Sequence, residues 1–266
     1  MTTIIARSAE SVHWYDQKGA PAYTVKAKDG SDRPTTLRDA RKFNYVPSVT
    51  TILKVAAKPA LEAWKMEQML LAALTLPQLP NEPEPHFVQR IIQDSKETAK
   101  RAAERGTRIH ESIEKYFLGG QAVEHTDMAK AFDEKVTKHF KLKSMNPWIV
   151  ENSFTDPLGF GGKVDLYTGV DETTPTGIVL DAKTKDFDYD DDVPAYDENL
   201  MQLAAYRYGL KLPFARCANV FVSVKRPGLV KIHEWDEADL QRGWSMFQNL
   251  LAYWKLKNKF GEKNAE

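Results

Sequence analysis

Four side chains stand out as a set able to do chemistry: Asp165, Asp181, Lys183 and His110. Asp165 lies in Gly161-Gly162-Lys163-Val164-Asp165-Leu166-Tyr167, and Asp181 and Lys183 lie in Gly177-Ile178-Val179-Leu180-Asp181-Ala182-Lys183-Thr184. Both segments carry the period-2 alternation of a strand, with Ile178, Leu180 and Ala182 on one face and Val179, Asp181 and Lys183 on the other. The break between them, Asp171 to Gly177, has turn chemistry, and the two acids stand eight residues either side of Thr173 within it. An antiparallel hairpin about that residue makes the carboxylates cross-strand neighbours, with Cβ atoms roughly 5–8 Å apart. Like charges so placed on a half-buried surface are unfavourable without a counterion, and a divalent cation is the simplest remedy.

Lys183, two residues beyond Asp181, must share its strand face, so its ammonium belongs beside that cation, ready for a phosphate oxygen. A structural ion pair is the plainer account of these two, but a pair without function at the end of an apolar strand costs desolvation for little gain. His110 is the third candidate ligand. It adjoins Ile109 on a helical stripe, neighbouring Gly106 and Ile113, where a histidine alone is ordinarily structural; the two acids are what make it a ligand candidate. Gln202 and Tyr206, at i and i+4, put two polar groups on one side of a helix. Arg101, Arg105 and Arg108 lie at i, i+4 and i+7 on the helix leading to His110, where phosphate contacts and a solvated face paired with Glu97 or Glu104 explain them equally well.

The elements that must position these groups follow from the chain in order. Residues 1 to 46 form an irregular or β-rich arm, with short strands at His13-Trp14-Tyr15 and Ala22 to Val25 and a short helix from Pro34 to Phe43. Arg33, Arg38, Arg41 and Lys42 there suit either a phosphate backbone or water. Pro47 to Leu53 opens a helix capped by Ser48 or Thr50, and another runs from Pro59 through Leu74. Pro77 to Pro85 is a loop. From His86 to Phe117 helical spacing dominates, with Ala102, Gly106, Ile109, Ile113 and Phe117 as the buried stripe and Gly119-Gly120 as the stop. A helix over Asp127 to Lys143 completes a helical region, 47 to 146.

At Trp148 the period changes to that of strands. Trp148 to Phe154 precedes the two acid-bearing strands, an acidic loop from Asp186 to Asp192 follows them, and a helix from Tyr196 to Leu210 leads to strands at Cys217 to Lys225 and Leu229 to Trp235. A helix from Asp236 to Lys259 closes the region 147 to 260, and 261 to 266 is a tail. This order predicts an α/β core, a central mixed sheet flanked by helices, with the helical region packed on it as one compact unit.

Composition bounds the rest. The 266 residues carry no net charge, and Cys217, the only cysteine, excludes an internal disulfide, a cysteine zinc site and a four-cysteine iron–sulfur cluster. Residues 1 to 150 hold 23 Lys and Arg against 18 Asp and Glu, and the remainder 14 against 19, a basic half beside an acidic one. No apolar run is long enough for a membrane span and the N-terminus lacks the apolar core of a signal peptide, so a cytoplasmic protein with no membrane partner is expected. No phosphate-binding Gly-x-x-x-x-Gly-Lys-[Ser/Thr] loop is present.

Taken together, Gly106 with His110, Gly162-Lys163-Val164-Asp165, Leu180-Asp181-Ala182-Lys183-Thr184 and Gln202 with Tyr206, in that order, resemble the motifs of the RecB-like branch of the PD-(D/E)XK nuclease superfamily. Pro47 to Leu53 followed by Leu61 and Trp64 is similar to the stand-alone phage exonucleases and the mitochondrial genome maintenance exonuclease. Val164 replaces the proline of the superfamily's name, and the cluster-binding cysteines of some relatives are absent.

The resemblance, which covers about residues 47 to 210, implies a restriction-endonuclease-like core and a catalytic Mg²⁺ or Mn²⁺ held by His110, Asp165, Asp181 and the Ala182 carbonyl, with no iron–sulfur cluster. It implies that Lys183 orients the attacking water or stabilises the pentavalent phosphate, that Gln202 and Tyr206 position DNA or support the ligands, and that Glu151 matches a frequent acidic position. The expected activity is exonucleolytic hydrolysis of DNA ends, single- or double-stranded, in recombination, replication or repair, by a phage-encoded or bacterial protein working with a single-strand-binding or recombination partner. A structure-selective or restriction-like endonuclease and a non-catalytic DNA-binding scaffold are the rivals.

Overall fold

The computed structural model describes residues 12–120, 124–142, 148–172 and 174–261. The extreme N-terminus, Thr173 in the turn and the tail from 262 onward lie outside the described residues. The chain divides into two compact units, Met1–Val55 with Ala131–Glu266, and Ala56–Lys130. The N-terminal arm and the Pro47 to Leu53 helix fall in the same unit as the sheet.

The arm contains β1 (Trp14–Tyr15), β2 (Thr24–Lys26), β3 (Asp32–Pro34), α1 (Leu37–Phe43), β4 (Val46–Pro47) and α2 (Val49–Leu53). A capping box starts α1: Thr36 accepts from the Asp39 N–H while Asp39 accepts from the Thr36 N–H, and Asn44 ends the helix in the left-handed region at φ 56°. Ser48 caps α2 by accepting the Thr51 N–H at 3.0 Å. Three of the five α2 residues, Val49, Ile52 and Leu53, are buried apolar side chains that anchor the arm in the core of the sheet unit.

The helical unit holds α3 (Pro59–Thr75) and α4 (Glu84–Phe117). Proline begins each within its first turn, where its missing N–H costs nothing. The span from His86 to Phe117 lies within this single helix α4, which is 34 residues long from Glu84. Gly119, at φ 75°, stops it, and the Gly120 N–H returns to the Lys115 carbonyl at 2.8 Å. Ile109 and Ile113 of the expected stripe are buried, Gly106 and Phe117 are half-buried, and Ala102 is exposed.

After α5 (Thr126–Phe140) come β5 (Trp148–Asp156), β6 (Phe160–Thr168), β7 (Ile178–Lys185), α6 (Asp197–Gly209), β8 (Arg216–Ser223), β9 (Val230–Trp235) and α7 (Glu237–Lys257). The five strands form a mixed sheet in the order β5-β6-β7-β8-β9. Only β7 and β8 run parallel, and α6 supplies the crossover that a parallel pair requires. The sheet is thus the expected α/β core. Val164, Val179 and Phe160 pack with Leu200, Leu203, Phe247, Leu251 and Trp254 from α6 and α7, and with Trp14, Val49 and Ile52 from the arm. No described helix is long and apolar enough to cross a membrane.

Candidate functional site

The β6–β7 hairpin has the register that the spacing predicts. Leu166 pairs with Leu180, Tyr167 with Val179 and Thr168 with Ile178, all centred on position 173. The pairing ends there. At the next rung, where Asp165 would face Asp181, the strands part, and the Asp165 side chain takes over: its Oδ2 accepts the Ala182 N–H at 2.8 Å. A strand residue's N–H and C=O leave the same edge, so the Ala182 carbonyl also looks toward the gap between the strands. Beyond the hairpin, β7 continues in parallel register with β8 as far as Lys185.

The opposite edge of β6 is distorted at the same level. Val150 pairs with Leu166 and Asn152 with Val164, but Glu151 between them stands at φ 53°, a costly conformation for a non-glycine residue within a strand. Its carboxylate forms an ion pair with Lys163. Asp165 is therefore flanked by interrupted ladders on both sides.

Asp181 is 1% exposed. Its Oδ1 accepts from Lys183 Nζ at 2.7 Å and Gln202 Nε2 at 2.8 Å, and its Oδ2 from Asn219 Nδ2 at 2.8 Å. Gln202 also accepts from Lys183 at 3.2 Å and donates to the Tyr206 hydroxyl at 3.0 Å. Because Lys183 is a donor only, its bond to Oε1 fixes which way the Gln202 amide points. Burial and the Asp181 charge push the Asp165 carboxyl up to about 7, against the opposing pull of Lys183, the Ala182 N–H and Lys163. Burial disfavours the Lys183 charge, yet Asp181 and Asp165 outweigh it and its pKa stands above the ordinary value. Burial, with Asp181 and Asp165 adding to it, raises the Tyr206 hydroxyl well above its usual range.

Glycines make room for this arrangement. A Cβ on Gly162 would lie 2.8 Å from the Tyr206 ring and 2.9 Å from that of Phe154, and one on Gly209 would lie 1.9 Å from Phe154. Gly162 in the motif around Asp165 is thus what allows α6 to bring Tyr206, and with it Gln202, down onto the sheet.

Asp165, Asp181, Ala182, Lys183, Gln202 and Tyr206 are brought together, with Glu151 on the neighbouring strand. His110, Arg105 and Arg108 stand on α4 in the helical unit, where His110 and Arg105 are half-buried and Arg108 is exposed. Arg108 lines a recess of about 250 Å³ with Glu111, Ser112, Lys115 and Glu124, a surface of mixed charge. In the arm, Arg33 is engaged by Asp39 through two bonds of 2.6 and 2.8 Å, and Arg41 donates to the Asn258 carbonyl. The acidic loop is less free than its composition suggests. Asp188 is held by Arg226 and Lys225, its carboxyl lowered to about 2 chiefly by the Arg226 hydrogen bond, while Lys231 donates to the Tyr189 carbonyl at 2.9 Å and to that of Asp191.

Two residues of the cluster escape the sequence motifs. Asn219 on β8, the parallel neighbour of Asp181, is fully buried and receives the Trp235 indole N–H on its Oδ1 at 2.8 Å. The available signal was an asparagine within the apolar run Cys217 to Val222, since a buried amide must find partners.

Among the described residues no group of three or more His, Cys, Asp or Glu side chains is gathered as a ligand set. Two carboxylates and a strand-edge carbonyl nevertheless fit a hard cation such as Mg²⁺, which characteristically takes one or two carboxylates and completes its shell with water and substrate oxygens.

No family model and no curated protein matches the chain. Among solved structures it is similar to SSO0001, with a TM-score of 0.30 and 15% identity over 72% of this chain and 86% of that one.

Proposed function

We propose that this chain is a metal-dependent deoxyribonuclease on a restriction-endonuclease-like core, an exonuclease acting on DNA ends in recombination, replication or repair. The observation that carries this reading is the paired Asp165 and Asp181, with Lys183 bonded to Asp181, at the level where β6 and β7 part. The four ordered sequence motifs support it.

Asp165, Asp181 and the Ala182 carbonyl would hold Mg²⁺ or Mn²⁺, which would supply a water that ionises near neutral pH and positive charge against the phosphate. The chain's own residues do the rest. Lys183, kept protonated by its acidic neighbours, places a fixed cation where negative charge develops on the phosphoryl oxygens and steadies the attacking water. Gln202 holds both Lys183 and Asp181, so base-face and ligand-face geometry are set by one amide. Tyr206 backs that amide through its hydroxyl. Arg105 and Arg108 are assigned to DNA phosphates, and the tethered acidic loop after Lys185 to a rim that limits which strands enter.

A digest of end-labelled linear DNA beside a covalently closed single-stranded circle, with Mg²⁺ or Mn²⁺, tests this. Loss of linear DNA with the circle intact is the expected result. Cutting of the circle identifies an endonuclease on the same core, and cleavage of neither identifies a non-catalytic DNA-binding scaffold.

A further inference from the structure

Asp181 is gripped from a third side by a residue that none of the motifs contains. Asn219 Nδ2 donates to Asp181 Oδ2 at 2.8 Å, opposite the oxygen that receives Lys183 and Gln202. An asparagine amide can present either its oxygen or its NH₂ to a neighbour, and crystal-like geometry alone does not decide between them. Here the chemistry decides. Trp235 Nε1 is a donor without acceptor capacity, and it meets Asn219 Oδ1 at 2.8 Å, so the amide must turn its NH₂ toward Asp181.

Every member of this relay is enclosed. Asn219 is 0% exposed, Asp181 1% and Trp235 9%. Register adds to the constraint, because Asn219 is the β8 partner of Asp181 and pairs with His233 of β9, two residues before Trp235. Rotation of the Asp181 carboxylate about its Cβ–Cγ bond is thereby fixed from both oxygens at once. A buried Asn–Trp bond serving the fold alone would not need to end on the acid that lies beside the strand gap.

We infer that Asn219, oriented by Trp235, is a positioning residue that sets the Asp181 carboxylate for a divalent cation. This rests on the nuclease reading of the site. Outer partners of metal-binding carboxylates typically change affinity by 10- to 100-fold when removed. Asn219→Ala should therefore weaken Mn²⁺ binding by about 10-fold or more. Trp235→Phe, which keeps an aromatic ring in the core but removes the indole donor and frees the amide to flip, should weaken it by a smaller factor than Asn219→Ala.

The measurement is Mn²⁺ binding to full-length protein without DNA, followed by its electron paramagnetic resonance signal, with melting temperature and the metal and DNA dependence of cleavage recorded for the same preparations. The inference expects a rightward shift of the Mn²⁺ midpoint in both variants, a parallel shift in the Mg²⁺ midpoint for cleavage, and an unchanged KM for DNA. It also expects the Trp235 indole N–H resonance, identified by its loss in Trp235→Phe, to move on metal addition. Wild-type Mn²⁺ affinity in folded Trp235→Phe and Asn219→Ala, while Asp181→Ala abolishes binding, overturns this inference and leaves the nuclease reading standing. Failure of the wild-type protein to bind Mn²⁺ overturns both.

Discussion

Asp165 Oδ2 accepts the Ala182 N–H at 2.8 Å, so a carboxylate side chain stands where the next backbone rung of the β6–β7 hairpin would be. One bond does two things. It satisfies the edge of β7 after the strands separate, and it holds the first acid close enough to Asp181 for the two charges to act on each other. The opening in the sheet and the carboxylate pair are the same structural event.

Removing the charge of Asp165 should stabilise the protein when no metal is present. Burial and Asp181 raise its carboxyl to about 7, above the ordinary value of 3.8. A raised folded-state value means a contribution to stability that is complete below the unfolded value and is lost as pH climbs through the folded one. Asp165→Asn escapes that loss. In EDTA its gain should be absent near pH 4, grow through neutrality and level off above it at about 1–2 kcal/mol, allowing for partial solvent exposure. Thermal melts at pH 5 and pH 8 check this, and a variant less stable than wild type at pH 8 contradicts it.

Gly209→Ala should be among the most destabilising small changes in the sheet unit. The new methyl would lie 1.9 Å from the Phe154 ring, which forces α6 or the ring to move. Overpacking of this kind costs about 1–3 kcal/mol, and the double variant with Phe154→Leu should recover much of it. Urea denaturation of the two variants reads the result; equal midpoints for Gly209→Ala and wild type would rule out the close contact.

Cys217 should be inert in the folded protein. Burial pushes its thiol up to about 12, so thiolate is scarce at ordinary pH and reagents have no path to it. Reaction with an aromatic disulfide reagent at pH 8 should proceed only as fast as the protein unfolds. Rapid labelling of native protein would show that β8 opens far more readily than its packing implies.

If Arg108 contacts a DNA phosphate, Arg108→Ala should weaken binding uniformly across sequences. The slope of log affinity against log salt should fall by about 0.9 for duplex DNA. A slope equal to wild type assigns the residue to its acidic neighbours Glu111 and Glu124 instead.

Much of the sheet unit was legible because its signals are local. Alternation located β6 and β7, and the symmetric placement of the two acids about Thr173 gave their register, which Leu166 and Leu180 confirm. Spacing placed Lys183 beside Asp181 and Gln202 beside Tyr206, since those pairs lie on single elements. Asn219 and Trp235 were not legible, because their bonds to each other and to Asp181 join three strands whose order no local pattern states. The Glu151 backbone, at positive φ on a residue that does not favour it, likewise has no sequence signature. On α4 the stripe was drawn one turn too long toward Ala102, an alanine whose small apolar side chain tolerates water as readily as a core.

The central claim is that Asp181 and Lys183 carry out metal-dependent cleavage of DNA. The most direct measurement is the rate at which Asp181→Asn and Lys183→Met degrade end-labelled linear DNA in Mg²⁺, beside wild type, with melting and DNA binding recorded for each. Both variants should fold, bind DNA and cleave at least about 10²-fold more slowly than wild type. A folded variant of either residue that cleaves at close to the wild-type rate would contradict the assignment of the site.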